Sequence, residues 1–167
     1  MDDAMIDRLD ALEQRLAALE EAAAGRPGGE VRVGDGEPWL IEESLRRDPD
    51  GAVHYGGHVE VAAGPVRWQY GHTTGDLLAR DWSLVADGLA ALAHPVRLHL
   101  LQLVLSGTDT TAALVADDAV GTTGQVHHHL RALAAAGWVA SAGRGRWAVP
   151  ATRVVPVLAL MSVLHTP

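Results

Sequence analysis

The chain has 167 residues and a formal net charge of −8, and both lysine and cysteine are absent from it. With 48% hydrophobic and 20% charged residues, it can bury a core and is not disordered overall. The absence of cysteine excludes disulfides, thiolate metal sites and cysteine nucleophiles, and the absence of lysine excludes the cation of a phosphate-binding loop.

No segment has the pattern of a targeting or membrane-spanning sequence. The N-terminus is acidic and amphipathic, whereas a signal peptide begins with a basic region followed by an apolar one. The longest apolar run, residues 154–164, contains Pro156 and is too short to cross a bilayer. We therefore expect a soluble, cytoplasmic protein.

The charge is divided unevenly along the chain. Residues 1–82 carry 17 acidic residues against 8 arginines, whereas residues 83–167 carry 4 against 5, together with six of the nine histidines. A negative total argues against nucleic-acid binding, but the C-terminal half taken alone is near neutral. This asymmetry indicates two different functions along the chain.

The first part of the chain, residues 1–24, predicts a coiled-coil helix that mediates dimerisation. Its leucines recur at alternating spacings of three and four residues, as on the seam of a coiled coil: Leu9, Leu12, Leu16 and Leu19. About three heptads are marginal for an isolated helix, so other contacts must contribute. The alternative is a surface helix packed on its own domain. Residues 25–51 are then predicted to be a linker with a short amphipathic helix.

Residues 52–72 predict a β-hairpin module, because apolar and polar residues alternate on both sides of a Gly64-Pro65 turn. One hairpin is too small to be stable alone and must pack on another element. The chain has five tryptophans and no phenylalanine, so we expect tryptophans to fill the core. Trp68 and Trp82 are also candidates for a ligand pocket.

Residues 73–167 have helical periodicity and predict a helix–turn–helix followed by a second hairpin. Thr122 and Gln125 have the spacing of a capping box at a helix N-terminus. In that helix Val126, Leu130 and Leu133 form one apolar stripe, while Gln125, His128 and Arg131 lie on the opposite face. The helix ends at Gly137, and two short strands then flank a basic turn at residues 143–146.

A polar helix face beside an arginine-tipped hairpin fits DNA. Glutamine can pair with adenine and arginine with guanine in the major groove, while hydroxyls and hairpin arginines suit phosphates. We expect the base-reading residues to be Gln125, His128 and Arg131. The predicted DNA-binding set is Thr122, Thr123, Gln125, His127, His128, Arg131, Arg144 and Arg146.

At these residues the chain resembles a known family. Residues 83–164 are similar to the winged helix-turn-helix of ArsR/SmtB-type bacterial regulators, in the LAHPVRL junction at residues 92–98, the helix at 126–133, the AGWV segment at 136–139 and the GRGR turn. The resemblance implies a mainly α fold with small β elements (α+β). It also implies a homodimeric repressor that binds a pseudo-palindromic operator and responds to an effector. The dimer would form partly through the last helix, at Val154, Val157, Leu158 and Met161.

The metal-binding features of that family are missing. The chain has no cysteine, and its last helix carries only His165 near its end. Residues 127–129 are three consecutive histidines, which point about 100° apart on a helix and cannot converge on one ion. His54 and His58 are too far apart on a strand to share an ion unless a bulge brings them together. We predict no metal and no cofactor.

Two functions stay open at this point. No catalytic constellation is present, so we expect no enzyme activity. The first hypothesis is the DNA-binding regulator. The alternative is a protein-interaction adaptor whose winged helix has lost DNA binding and whose acidic N-terminal half contacts a partner.

Overall fold

The computed structural model describes residues 14–15 and 39–165. Gln14 and Arg15 are helical, and Pro38–Pro167 forms one compact unit. The chain is mixed α and β, with two small antiparallel sheets. Within the described ranges, no single helix has the length and apolar character of a membrane span. The predicted coiled-coil residues Leu9, Leu12, Leu16 and Leu19 lie outside the described residues.

The first described elements are a helix and a long hairpin. Helix α1 spans Trp39–Arg47, and strands β1 (Ala52–Val61) and β2 (Gly64–Thr73) pair antiparallel. Gly51 and Gly64 have φ values of 100° and 113°, a conformation that favours glycine in the two turns. Both the short helix and the hairpin were expected from the sequence.

The remaining elements are mainly helical. In chain order they are α2 (Thr74–Ala79), a 3₁₀ helix (Trp82–Val85), α3 (Ala86–Leu92), α4 (Pro95–Leu105), α5 (Thr111–Val115), α6 (Thr123–Ala135), β3 (Ala140–Gly143), β4 (Arg146–Ala148) and α7 (Ala151–Leu164). Within the region of helical periodicity, residues 82–92 are divided into the 3₁₀ turn and α3. The first strand of the second hairpin begins at Ala140, and Trp138 and Val139 before it are buried in the core.

One hydrophobic core joins α3 to α7. It contains Leu100, Leu101 and Val104 of α4, Leu114 of α5, and the inner face of α6. Pro95 occupies the first turn of α4, where its missing N–H costs no hydrogen bond. The core therefore holds α6 by one side only and leaves its other side in solvent.

The β1–β2 hairpin packs on α7. A Cβ atom placed on Gly57 would lie 3.3 Å from Cγ1 of Val155, so the backbone approaches the helix closely there. Near the hairpin turn, the amide of Ala62 donates to the carbonyl of Leu105, at 3.2 Å. The hairpin therefore obtains from α7 and the end of α4 the packing that it cannot supply alone.

The expectation that tryptophans fill the core is only partly met. Trp138 is buried and its Nε1–H donates to the carbonyl of Gly88, at 2.9 Å. Trp68 and Trp147 are half-buried. For Trp39 and Trp82 the expectation is wrong, since these side chains are 69% and 65% exposed. Both belong to helical segments whose apolar side is not covered by another described residue.

We expect Leu130→Ala to destabilise the protein by about 2–5 kcal/mol, because the side chain is fully buried and its removal leaves a cavity. Leu45→Ala is the matched control, since Leu45 is 61% exposed and should change stability by less than about 0.5 kcal/mol. Urea unfolding of both variants measures the difference. Equal losses in the two variants would contradict this account of the core.

Candidate functional site

The N-terminus of α6 has the capping box that the sequence predicts. The Thr122 hydroxyl oxygen accepts from the amide of Gln125, at 3.4 Å. In return, Oε1 of Gln125 accepts from the Thr122 amide at 2.8 Å and from its hydroxyl at 3.0 Å. Gly121 precedes the cap with a φ of 86°, and a Cβ there would lie 2.5 Å from Oε1.

The cap limits what Gln125 can do as a base-reading residue. A bidentate contact with adenine uses both the oxygen and the nitrogen of the amide. In this chain Oε1 is already occupied by the cap, so only Nε2 is left to contact a ligand unless the cap opens. The two interpretations of Gln125 from the sequence, as cap and as base reader, therefore compete for one atom.

The faces of α6 are arranged as predicted. Val126, Leu130 and Leu133 are fully buried, and His128 and Arg131 are exposed on the other side. Arg131 has no hydrogen bond or ion pair to another residue in the part of the chain that is described. Four other members of the predicted set also lie at this helix: Thr122, Thr123 and Gln125 are exposed, and His127 is half-buried.

The third histidine of the run faces inward. The ring of His129 packs against that of His94, with centroids 4.6 Å apart, and its Nδ1 is buried without a hydrogen-bond partner. Burial lowers the pKa of His129, and His94, His128 and Arg97 lower it further. His129 is thus a packing residue, as expected, but its contact with His94 was not predicted.

The turn between β3 and β4 projects one free arginine. Gly143, Arg144 and Gly145 all have positive φ values, of 81°, 52° and 71°. Arg144 is exposed and makes no hydrogen bond or ion pair with another residue within 39–165. Glycine on both sides allows the backbone to present this side chain at the tip.

The second hairpin arginine is already paired. Nη2 of Arg146 lies 2.5 Å from Oδ2 of Asp109, and the two residues are 37 positions apart. The hairpin is also tied to the start of α5, where the amide of Thr111 donates to the carbonyl of Gly145, at 2.8 Å. Asp109 could not be predicted as the partner of Arg146, since no local pattern in the sequence indicates a residue 37 positions away.

The turn between α5 and α6 also contains a paired carboxylate. Asp117 accepts from the amide of Ala119 at 2.9 Å, and its Oδ1 lies 3.2 Å from Nε2 of His99. The hydrogen bond from the Ala119 amide lowers the pKa of Asp117, and the hydrogen bond with His99 lowers it further. Burial acts in the opposite direction. The guanidinium of Arg146 thus compensates the negative charge of Asp109, whereas Asp117 remains a carboxylate held by hydrogen bonds.

The two ligand candidates lie in different environments. Trp68 lines an open groove of about 1600 Å³ between α1 and the β1–β2 hairpin. Its ring lies 5.5 Å from that of Tyr55 and is stacked on Tyr70, at 5.6 Å. Trp82 does not line this groove, and its Nε1–H donates to the carbonyl of Leu77, at 2.8 Å. The two residues therefore do not form one pocket.

Two histidines beside the groove each lie near a different acidic residue. Nε2 of His54 lies 3.4 Å from Oδ2 of Asp48 but makes no hydrogen bond. His58 is exposed, 3.7 Å from Glu60. Among the described residues, no three histidine or carboxylate side chains are grouped closely enough to hold an ion.

The fold buries two of the four dimerisation residues predicted in the last helix and leaves the other two half-buried. Val154 and Val157 are only 3% and 1% exposed, because α7 packs them against its own chain. They cannot contact a second copy while that packing holds, and this corrects their expected role. Leu158 and Met161 are half-buried. Exposed apolar side chains lie at the end of α7, at Val163 and Leu164, and outside it in several places, among them Leu78, Trp82, Leu84, Val85 and Leu89.

No protein-family model matches the chain, and no curated protein matches it.

We expect Thr122→Ala to destabilise the protein by about 1 kcal/mol, because it removes the acceptor of the α6 cap. Thr123→Ala is the control: Thr123 is equally exposed and its side chain makes no capping bond. Thermal unfolding compares the two variants. An unchanged midpoint in Thr122→Ala would show that the capping box contributes little.

Proposed function

We propose that the protein is a sequence-specific DNA-binding regulator of transcription, which acts as a homodimeric repressor. The observation that carries the proposal is the outward face of α6. It presents Arg131 and His128, the tip of the β3–β4 hairpin presents Arg144, and neither arginine is paired with a carboxylate of the described residues. Such a face matches the phosphates and base edges of a major groove.

The order of elements also supports a winged helix-turn-helix. In this interpretation α5 and α6 are the two helices, α6 enters the major groove, and the β3–β4 hairpin is the wing. We propose the resemblance to ArsR/SmtB-type regulators on residues 92–98, 126–133, 136–139 and the GRGR turn. With the second copy, two α6 helices about 34 Å apart would contact a pseudo-palindromic operator.

The contacts divide into two kinds. Arg131 and His128 are proposed to read base edges, and Gln125 contributes through Nε2 while its oxygen stays in the cap. Thr123, His127 and Arg144 are proposed to contact phosphates. Arg146 contributes less than expected from the sequence, because Asp109 already compensates its charge.

The surface proposed for the dimer is the apolar side of the 3₁₀ helix and α3. Leu84, Val85 and Leu89 are all at least half exposed there, and contiguous exposed apolar side chains of this kind mark interaction sites. The half-buried Leu158 and Met161 of α7 can contribute to the dimer only if they lie at the edge of this surface. No role is assigned to residues 1–38 in this surface.

We place the effector in the groove between α1 and the β1–β2 hairpin. The hairpin packs on Val155 of α7, and the guanidinium of Arg153 lies 5.0 Å from the ring centroid of Trp138, just after α6. A ligand that shifts the hairpin would therefore act on α6 through α7. Trp68 is the residue proposed to contact it, and Trp82 is not.

A protein-interaction adaptor is the second candidate. The exposed apolar side chains of the 3₁₀ helix and α3 favour it, because they suit another protein as well as a second copy. The two functions differ in one measurement. The regulator shifts fragments of genomic DNA in a salt-dependent and sequence-dependent way, whereas the adaptor shifts none.

We expect Arg144→Ala to weaken binding to all DNA sequences and to reduce the slope of log K against log salt by about 1 per protomer. Arg146→Ala should reduce the slope less, because Asp109 already pairs with Arg146. The assay is fluorescence anisotropy on genomic fragments that the protein retains. Arg67→Ala on β2 is the matched control, an exposed arginine far from α6 in sequence. Equal effects of Arg144→Ala and Arg67→Ala would argue against the hairpin contact.

We expect Leu84→Glu to shift the protein from dimer to monomer at micromolar concentration, because a carboxylate would be buried in an apolar interface. Leu45→Glu on α1 is the control, since Leu45 is 61% exposed and also apolar. Sedimentation equilibrium measures both. Dissociation by Leu45→Glu but not by Leu84→Glu would move the interface to α1.

A further inference from the structure

Two histidines meet behind the outward face of α6. His94 ends the turn between α3 and α4, and its Nδ1 accepts from the amide of Val96, at 3.2 Å, as the cap of α4. The ring of His129 on α6 packs against it at 4.6 Å, tilted by 42°. Nδ1 of His129 is buried and has no hydrogen-bond partner. The contact therefore joins α6 to the α3–α4 junction through two rings that can each take up a proton.

The groups around this contact are cationic or can become so. Arg97 of α4 donates to the carbonyls of Ala90 and Ala91 at the end of α3, at 2.7 and 2.6 Å. His128 lies 5.5 Å from His129 on α6 itself. Each of these groups, like burial, lowers the pKa of His129.

Among the residues that the structure describes, no acidic side chain balances the positive charge of these groups. Helix α5 has no titratable residue, and the one carboxylate of α3, Asp87, is exposed in its first turn and does not act on His129.

Protonation of either ring would oppose the packing. In neutral His94 the proton is on Nε2, which leaves the Nδ1 lone pair free to accept from Val96. The imidazolium has N–H groups at both nitrogens, so the cap of α4 is lost and a positive charge lies at a helix N-terminus. A proton on His129 would create a second buried cation near Arg97, with no acid to balance it.

We propose that the His94–His129 contact is a proton-operated lock, which holds α6 against the α3–α4 junction when both rings are neutral and releases it when His129 is protonated. The consequence for DNA rests on the proposed function. A loosened α6 no longer holds Arg131 and His128 in position, so operator binding weakens as the pH falls. The stability change is independent of DNA.

The direction follows from the lowered pKa of His129. The unfolded chain, with an ordinary histidine pKa of about 6.5, binds the proton more readily than the folded chain. Stability contributed by the neutral ring is therefore complete above about pH 6.5 and is lost as the pH falls below that value, until the folded form also protonates.

The stability test compares the thermal midpoint between pH 7.5 and 5.5. We expect His129→Leu to lose at least about half of the wild-type fall in midpoint, because one titrating ring is gone. His94→Asn removes the ring against which His129 packs and keeps an acceptor for the Val96 amide. It should therefore also reduce the fall, and it tests the lock even if His129→Leu packs poorly. His58→Gln, which replaces an exposed histidine of β1, should retain the whole fall. A fall of wild-type size in both His129→Leu and His94→Asn would overturn the proposal.

The DNA test must separate two effects of opposite sign. Protonation of His127 and His128 beside phosphates would tighten binding at low pH. We therefore use the His127→Ala, His128→Ala double variant as the starting protein and expect at least about a threefold loss of operator affinity from pH 7.5 to 5.5. Adding His129→Leu should abolish that loss. A constant affinity in the double variant would contradict release of α6. Absence of DNA binding by the wild-type protein at any pH would contradict the proposed function and leave the melting test decisive for the lock.

Discussion

Burial of one apolar stripe of α6 is the constraint on which the rest of the candidate site depends. Val126, Leu130 and Leu133 are fully buried, and each contributes about 1.5–3 kcal/mol by leaving water. Rotation of α6 about its axis would expose them, so the helix has one stable orientation. That orientation directs Arg131 outward. It also turns His129, the residue before Leu130, toward the edge of the core, where it meets another titratable ring.

Helix α7 contacts both the β1–β2 hairpin and the segment that follows α6. On one side it packs under the β1–β2 hairpin through Val155, and on the other Arg153 lies over Trp138. Trp138 donates in turn to the carbonyl of Gly88 on α3. The groove, α7, α6 and α3 are thus joined by direct contacts. This packing gives a ligand in the groove, or a proton at the α3–α4 junction, a physical route to the outward face of α6.

Local charge matters more than the sum over the chain. The formal total of −8 would weaken attraction to DNA, but the carboxylate of Asp109 is paired with Arg146 of the second hairpin. This ion pair compensates one acid and also uses one of the two hairpin arginines. The proposed DNA surface therefore depends on Arg144 and Arg131, and its affinity should come from specific contacts more than from a broad positive field.

The sequence by itself determined the features that depend on neighbouring residues. The capping box of Thr122 and Gln125, the buried stripe of α6, the glycine-flanked hairpin turn and nearly all element positions follow from short spacings, because capping, helical periodicity and backbone sterics act within a few residues. Only the tertiary structure decided which distant groups meet. Asp109 neutralises Arg146, His94 contacts His129, the first hairpin packs on Val155 of α7, and Val157 of the same helix is buried in the helical core. Such pairings depend on how whole elements pack, and no local spacing in the chain encodes them.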